Sequence, residues 1–210
     1  MEKIIDSGAE AKIYLRNNKI IKNRIPKSYR LPILDEKLRR IRTKKEAKIL
    51  EILSKLIAVP NLIKKGKYEL EIEYIKGKKL SNFLDKTKEK AKIAESIGKN
   101  LAIIHNYNII HGDLTTSNMI YKQDLQSKSN LRKDKLYFID FGLSQESSKI
   151  EDKAVDLHIL KETLKAKNYK NADKLWKGIL DSYKKNSSNS NIVLKQLDKV
   201  ESRGRYKQQF

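Results

Sequence analysis

The sequence contains no cysteine, which excludes a disulfide framework, a thiolate zinc site and a cysteine nucleophile together and fits a reducing interior. Histidine is scarce too: three residues, scattered along 210, indicate no zinc site. Long apolar runs are missing. No stretch approaches the length needed to span a bilayer, and Met1-Glu2-Lys3 lacks the apolar region of a signal peptide, so a soluble cytoplasmic protein without a membrane partner is expected. Acidic residues are in deficit, 26 against 47 Lys and Arg, which leaves a formal charge of +21. Such an excess draws a protein to polyanions in a salt-dependent manner and makes nucleic acid a candidate partner. A Lys-rich solvated surface explains the same numbers, and charge alone does not separate the two. At 210 residues the chain can bury one good core, or a small lobe leaning on a larger one.

What is present is organised around His111-Gly112-Asp113-Leu114-Thr115-Thr116-Ser117-Asn118, which follows the apolar pair Ile109-Ile110. Transfer of a phosphoryl group to a hydroxyl needs a carboxylate to orient the nucleophile and magnesium to gather phosphate charge. Asp113 suits the first task, and Asn118 offers a neutral oxygen ligand. A second carboxylate arrives where the strand-like run Leu136-Tyr137-Phe138-Ile139 ends in Asp140-Phe141-Gly142. Hard oxygen ligands of this kind favour magnesium. Either motif alone could be a turn. Together, each behind an apolar run and in this order, they read as a phosphoryl-transfer site.

Residues 3 to 22 alternate apolar and polar side chains around Gly8 and the Asn17-Asn18 turn, which predicts antiparallel strands. A helix is expected from Asp35 to Ile57, stopped by Val59-Pro60, with Leu38, Ile41, Leu50, Leu53 and Leu56 near helical spacing. A strand follows over Tyr68 to Ile75. The second long helix, Lys88 to Asn106, has Ala91, Ala94, Ile97, Leu101 and Ile104 as its buried stripe, with His105 beside it as a packing histidine. Gln123 to Asp134 is polar and aperiodic, and reads as a mobile hairpin tip. Helices are expected near Ala154 to Leu160 and around Leu175, Trp176, Ile179, Leu180 and Tyr183, with Trp176 in the core. After a linker at 186 to 191 come a short helix and the basic tail Arg203-Gly204-Arg205-Tyr206-Lys207.

The two loop motifs resemble those of protein kinases, and the resemblance extends over nearly the whole chain. It implies an α+β, minimal two-lobed kinase fold, with a strand-rich lobe over 1–75, a helical lobe over 76–202 and the tail over 203–210. It implies that Asp113 orients the nucleophile and that Asn118 and Asp140 hold magnesium. Lys22, closing Ile20-Ile21-Lys22, stands where a kinase lysine touches ATP phosphates; by itself it is one surface lysine among many, but its place before a helix with candidate Glu partners favours the phosphate role. Glu46 is chosen as its partner from the long helix, with a solvent-facing Glu46 as the alternative. Ser7-Gly8-Ala9-Glu10-Ala11 occupies the place of the glycine-rich phosphate loop with a single glycine. Glu73-Tyr74-Ile75 resembles the kinase hinge, where the Glu73 carbonyl and Ile75 amide would face adenine. A plain strand leading to Gly77 fits the same residues.

Gly112 replaces the usual arginine and Thr115 the usual lysine of protein kinases, and no Ala-Pro-Glu sequence follows. Gly8-Ala9-Glu10-Ala11, Pro26-Lys27-Ser28-Tyr29-Arg30, Arg42-Thr43-Lys44-Lys45-Glu46-Ala47, the 111–118 loop and the Arg203-Gly204-Arg205 tail are more particular. They resemble the small atypical, RIO-like kinases of the KEOPS complex. That resemblance implies an ATP- and magnesium-dependent ATPase or serine-threonine kinase subunit supporting threonylcarbamoyl-adenosine formation in tRNA. It implies a threonylcarbamoyl-transferase partner, a second small partner near the first lobe, and tRNA contact through Arg203, Arg205 and Lys207. Two alternatives stand beside it: a kinase of small alcohols such as choline or aminoglycosides, and a non-catalytic ATP- or tRNA-binding regulator.

Overall fold

The structure, a computed structural model, describes residues 3–8, 10–124 and 134–206, with side chains as far as Arg203. The chain divides into two compact units, Met1–Lys76 with Phe141–Leu143, and Gly77–Asp140 with Ser144–Phe210.

In the first unit, alternation builds an antiparallel sheet: β1 (Lys3–Ser7), β2 (Lys12–Arg16), β3 (Lys19–Asn23), β4 (Leu62–Lys65) and β5 (Glu69–Glu73), in the order β1-β2-β3-β5-β4. The β2–β3 turn places Asn17 and Asn18 at φ 48° and 59°, a left-handed pair that asparagine tolerates and that matches the twist of a hairpin. Helix α1 (Pro32–Leu53) starts three residues earlier than periodicity suggests, because proline is accommodated in a first helical turn. It buries Ala47, Ile49, Leu50 and Leu53 together with Ile21 of β3 and Leu70 of β5. Its first turns do not follow the apolar stripe. Leu31 and Ile33 are 75% and 85% exposed, and Ile41 is exposed as well.

The second unit opens with β6 (Lys78–Lys79), α2 (Leu80–Phe83) and α3 (Lys90–Asn106), then β7 (Ile109–Ile110), β8 (Met119–Lys122), β9 (Lys135–Phe138) and β10 (Gln145–Glu146). It closes with α4 (Ile150–Lys167), α5 (Ala172–Asn186) and α6 (Ser190–Tyr206). β6, β8 and β9 form one antiparallel sheet, and β7 pairs with β10. Most of the expected hairpin tip, 125–133, lies outside the described residues. At its base Asp134 accepts bonds from the Tyr121 hydroxyl at 2.7 Å and the Asp124 amide at 2.9 Å.

Several expectations for the helices are revised. The stripe of α3 runs through Ile93 and Ala94 rather than Ala91, which is exposed, since a larger isoleucine outweighs an alanine in fixing the phase. Trp176 is half-buried, not core, and the Lys161 ammonium lies 5.7 Å from its ring centre. The last helix is long: α6 has 17 residues and includes positions 203–206. Packing of α3 on α5 is unusually close at Gly98, where a β-carbon would lie 2.2 Å from the Ile179 carbonyl oxygen and 2.9 Å from the Tyr183 amide. Both neighbours are backbone and cannot turn aside. Gly98→Ala is therefore expected to cost about 1–3 kcal/mol or more and to lower the melting temperature by several degrees in calorimetry. An unchanged melting temperature would show that the helices separate freely.

Candidate active site

A carboxylate buried without partners is costly, and Asp156 of α4 avoids this by gathering donors from the loop after β7. Its two oxygens accept from the His111 amide at 2.6 Å and the Gly112 amide at 2.9 Å. His105 of α3 faces it through Nε2 at 3.5 Å, and Nδ1 of the same ring meets the Tyr183 hydroxyl at 2.9 Å. Gly112 sits at φ 79°, where an L side chain is strained, and this accounts for glycine in place of the kinase arginine. Sequence reading treated His105 as packing, which holds. It missed Asp156, because an aspartate within a helix gives no local signal of what it will hold.

His111 carries the loop onward. Its Nε2 lies 3.1 Å from the Ile139 carbonyl, and its Nδ1 lies 3.4 Å from the Asp113 amide. A neutral ring with the proton on Nε2 serves both contacts, donating to the carbonyl and accepting from the amide. The Asn118 amide nitrogen donates to both the backbone carbonyl and the carboxylate Oδ2 of Asp113, each at 2.9 Å. That orientation leaves Asn118 Oδ1 as its available ligand atom. The Ile139 amide donates to the Asn118 carbonyl at 3.0 Å, which fixes Asp140 one residue beyond the loop. Asp140 itself adopts φ 61°, a left-handed conformation of the kind that concentrates at functional sites. Asp113, Asn118 and the Asp140 backbone are thus tied together within the second unit.

In the first unit, Lys22 is buried and its ammonium meets Glu46 Oε1 at 2.8 Å. Glu46 is buried too, so the solvent-facing alternative is discarded. Its other oxygen takes Arg24 Nη2 at 2.5 Å, a partner that sequence reading passed over. Losing one member of such a buried pair strands a charge and costs about 3–5 kcal/mol. Around it the motif residues converge: Glu10 pairs with Arg42 and, at 3.6 Å, with Arg30. Asp35 takes Arg39 at 2.6 Å, Arg30 at 3.7 Å and the Lys27 amide at 3.3 Å. Gly8 is exposed, and a β-carbon there would meet nothing nearer than 3.8 Å. The fold therefore leaves open space beside it. At the other end of the sheet the Glu73 carboxylate accepts from the Asn61 side chain at 2.8 Å, and Ile75 is buried. Arg203 bonds Glu151 at 2.5 Å on the surface. Arg205 and Lys207 have no described side chains.

Residues 14–157 match the RIO domain. The KEOPS complex subunit Bud32 of Pyrococcus abyssi is 36% identical, over 98% of this chain and 97% of its own length. The chain belongs to the RIO-domain family and, within it, to the Bud32 group. The EKC/KEOPS complex subunit bud32 of Dictyostelium discoideum is 38% identical over 99% of this chain and 84% of that protein. The same identity links it to a probable bifunctional tRNA threonylcarbamoyladenosine biosynthesis protein of Methanobrevibacter smithii, of which it spans 37%. Among solved structures, the Rio2 kinase of Chaetomium thermophilum, in its ADP/Mg2+-phosphoaspartate complex, superposes with a TM-score of 0.66 at 14% identity, over 98% of this chain and 70% of that one. The α+β kinase-like fold expected from sequence is thereby shown.

Burial pushes both His105 and His111 below the usual imidazole range, against the opposing pull of Asp156. Burial would raise Asp156, but His105 and the loop donors outweigh it and hold the carboxyl below its ordinary value. Burial also pushes the Tyr183 hydroxyl up to about 12, so it remains a donor. An unfolded chain takes protons on both rings near pH 6.5, whereas the folded RIO domain resists them. Stability is therefore expected to fall as pH drops through that value and to keep falling until the folded rings titrate. Asp156 adds its loss only at more acid pH, below the ordinary carboxyl value of 3.8. Melting temperatures taken between about pH 7.5 and 5 should decline, and less steeply in His105→Gln. A flat profile in the wild type would show that the rings titrate normally.

Proposed function

We propose that this RIO-domain protein is a magnesium-dependent ATPase or atypical serine-threonine kinase acting in a KEOPS-type assembly that forms threonylcarbamoyladenosine in tRNA. The carrying observation is the loop held by Asp156, in which the Asn118 amide bonds the Asp113 carboxylate. A carboxylate fixed in this way can hold the attacking hydroxyl or water in line, which is most of what phosphoryl transfer asks of a protein base. Lys22, placed by Glu46, offers its ammonium to the ATP phosphates, and Gly8 leaves room for them. Glu73 and Ile75 present backbone to the purine.

Asn118 and Asp140 suit magnesium because both are hard oxygen donors, and the Asn118 nitrogen is already committed to Asp113. Among the described residues no group of three or more His, Asp or Glu could hold a metal by itself. Magnesium would draw its other ligands from phosphate and water, its usual habit. When bound, the ion supplies neutralisation of phosphate charge.

The names of the relatives support the assembly, and the choice of a transferase partner and a small second partner rests on the family resemblance. Tyr29 and Leu31 just before α1 and Ile33 in its first turn, all exposed, offer the first unit an apolar surface for such a partner. The compartment is taken as cytoplasmic; no described helix is long and apolar enough to cross a membrane. Arg205 and Lys207, with Arg203, are assigned to tRNA, and the Arg203–Glu151 pair is exposed enough to be exchanged for phosphate.

Asp140→Ala should abolish magnesium-ATP turnover with the fold intact, and Asp113→Ala should slow turnover while ATP affinity is kept. Turnover equal to wild type in Asp140→Ala, or loss of ATP affinity in Asp113→Ala, would overturn these roles. Removing residues 205–210 should weaken tRNA binding at low salt, with less effect at high salt. The small-alcohol kinase reading requires turnover stimulated by choline or an aminoglycoside in the absence of tRNA and partners. The regulator reading requires no turnover at all in the reconstituted assembly.

A further inference from the structure

The second unit carries a groove of about 700 Å3 lined by residues of α3, α5 and the segment before α3, and the proposed catalysis makes no use of it. Lys86, Lys88, Lys90, Lys174, Lys177 and Lys185 line it, against the acids Glu95 and Asp181. Some surface lysines elsewhere meet carboxylates, as Lys67, Lys161 and Lys165 do with glutamates at 2.7–2.8 Å. In the groove, among the described residues, none of the lysines is ion-paired. Lys90 bonds only the Thr87 carbonyl, at 2.9 Å.

Two features make this more than a solvated face. Beyond its N-cap residue Glu89 the first turn of α3 contains no acid, while Lys86, Lys88 and Lys90 crowd the positive end of its dipole, where cations are unfavourable. Three lysines against that one acid, with a second row of cations supplied by α5, mark a place prepared for negative charge. The walls are also pre-set. Asn171 donates to Asp85 at 3.0 Å, the Ser182 hydroxyl donates to the Glu95 carbonyl at 2.7 Å, and Gly98 locks the two helices together.

We propose that this groove binds the phosphodiester backbone of RNA without reading its bases. A single phosphate would call for converging or forked donors, and the lining has no arginine. Base recognition would call for stacking surfaces, and the lining has no aromatic residue. An acidic peptide would need an apolar anchor site, and the floor offers only Ala91, Ala94, Leu175 and Gly178. Separated point charges along both walls suit a string of phosphates. Only the choice of tRNA as the probe rests on the proposed function.

The test compares the full chain with Lys86→Ala/Lys88→Ala/Lys174→Ala/Lys177→Ala, using fluorescence anisotropy with a tRNA transcript, an unrelated RNA hairpin and a polyglutamate peptide. Affinity for both RNAs should drop about tenfold or more near 50 mM salt. The slope of log affinity against log salt should become shallower by about three, at about 0.7–0.9 per lost contact. Melting temperature and RNA-free ATP turnover should stay as in the wild type, because these exposed lysines touch neither core nor active-site residues. Unchanged RNA affinity and slope would overturn the proposal, as would binding of polyglutamate that is lost in the variant while RNA binding is kept. The RNA readout needs no ATP, so failure of the catalytic reading would leave this result standing, and the reverse holds as well.

Discussion

Asp156 is a carboxylate with almost no water, and the second unit is arranged to satisfy it. Four groups meet that demand or back it: the His111 and Gly112 amides, the His105 ring, and Tyr183 behind the ring. Because two of the donors belong to the loop, its path is set by a helix 44 and 45 residues further on. The loop thus inherits the rigidity of α4, which is buried through Leu157, Leu160 and Leu164. Catalytic geometry held by a packed helix tolerates less drift than geometry held by a turn. The remaining contacts pass that position along, from His111 to Ile139 and from Asp113 to Asn118.

The first unit solves its problem with charge. Glu46 is buried among Ala47, Ile49 and Leu50, and two cations share its oxygens. An exposed pair contributes about 0–1 kcal/mol and would barely matter. Here the alternative to pairing is an uncompensated interior charge, so the pair decides where Lys22 can be. Arg24 also keeps Glu46 occupied on its far side. Lys22 therefore meets the Glu46 oxygen that Arg24 leaves to it.

Much of this was legible in the residues, and the failures have physical causes. The hairpin at Asn17-Asn18 and the Asp113-Asn118 spacing could be read because each depends on local chemistry or on a motif of fixed length, whereas the pairing of Lys22 with Glu46, 24 residues apart, came only through the kinase resemblance. Arg24, Asp35 and Asp156 could not be read, because their partners are set by tertiary packing and an isolated charged residue reads as surface. β4, with two apolar residues in Leu62-Ile63-Lys64-Lys65, is a strand because β5 supplies its ladder, not because of its own pattern. The phase error at Ala91 has the same origin. Alanine marks periodicity weakly, and the first turn of α3 faces the lysine-lined groove instead of the core.

The formal charge of +21 looks different once the cations of the described residues are placed. Arg24, Arg30, Arg39, Arg42 and Arg203 each hold a carboxylate, which is what a planar fork does best. The four in the first unit maintain its own architecture and are not free to meet a polyanion there. Away from the 203–207 segment, attraction toward nucleic acid falls mainly to lysine, whose compact, strongly hydrated charge does not discriminate among bases. On the proposed reading, a protein charged in this way would gather RNA by the phosphate backbone and leave the choice of nucleotide to whatever else is bound. That division suits a subunit whose chemistry is ATP turnover.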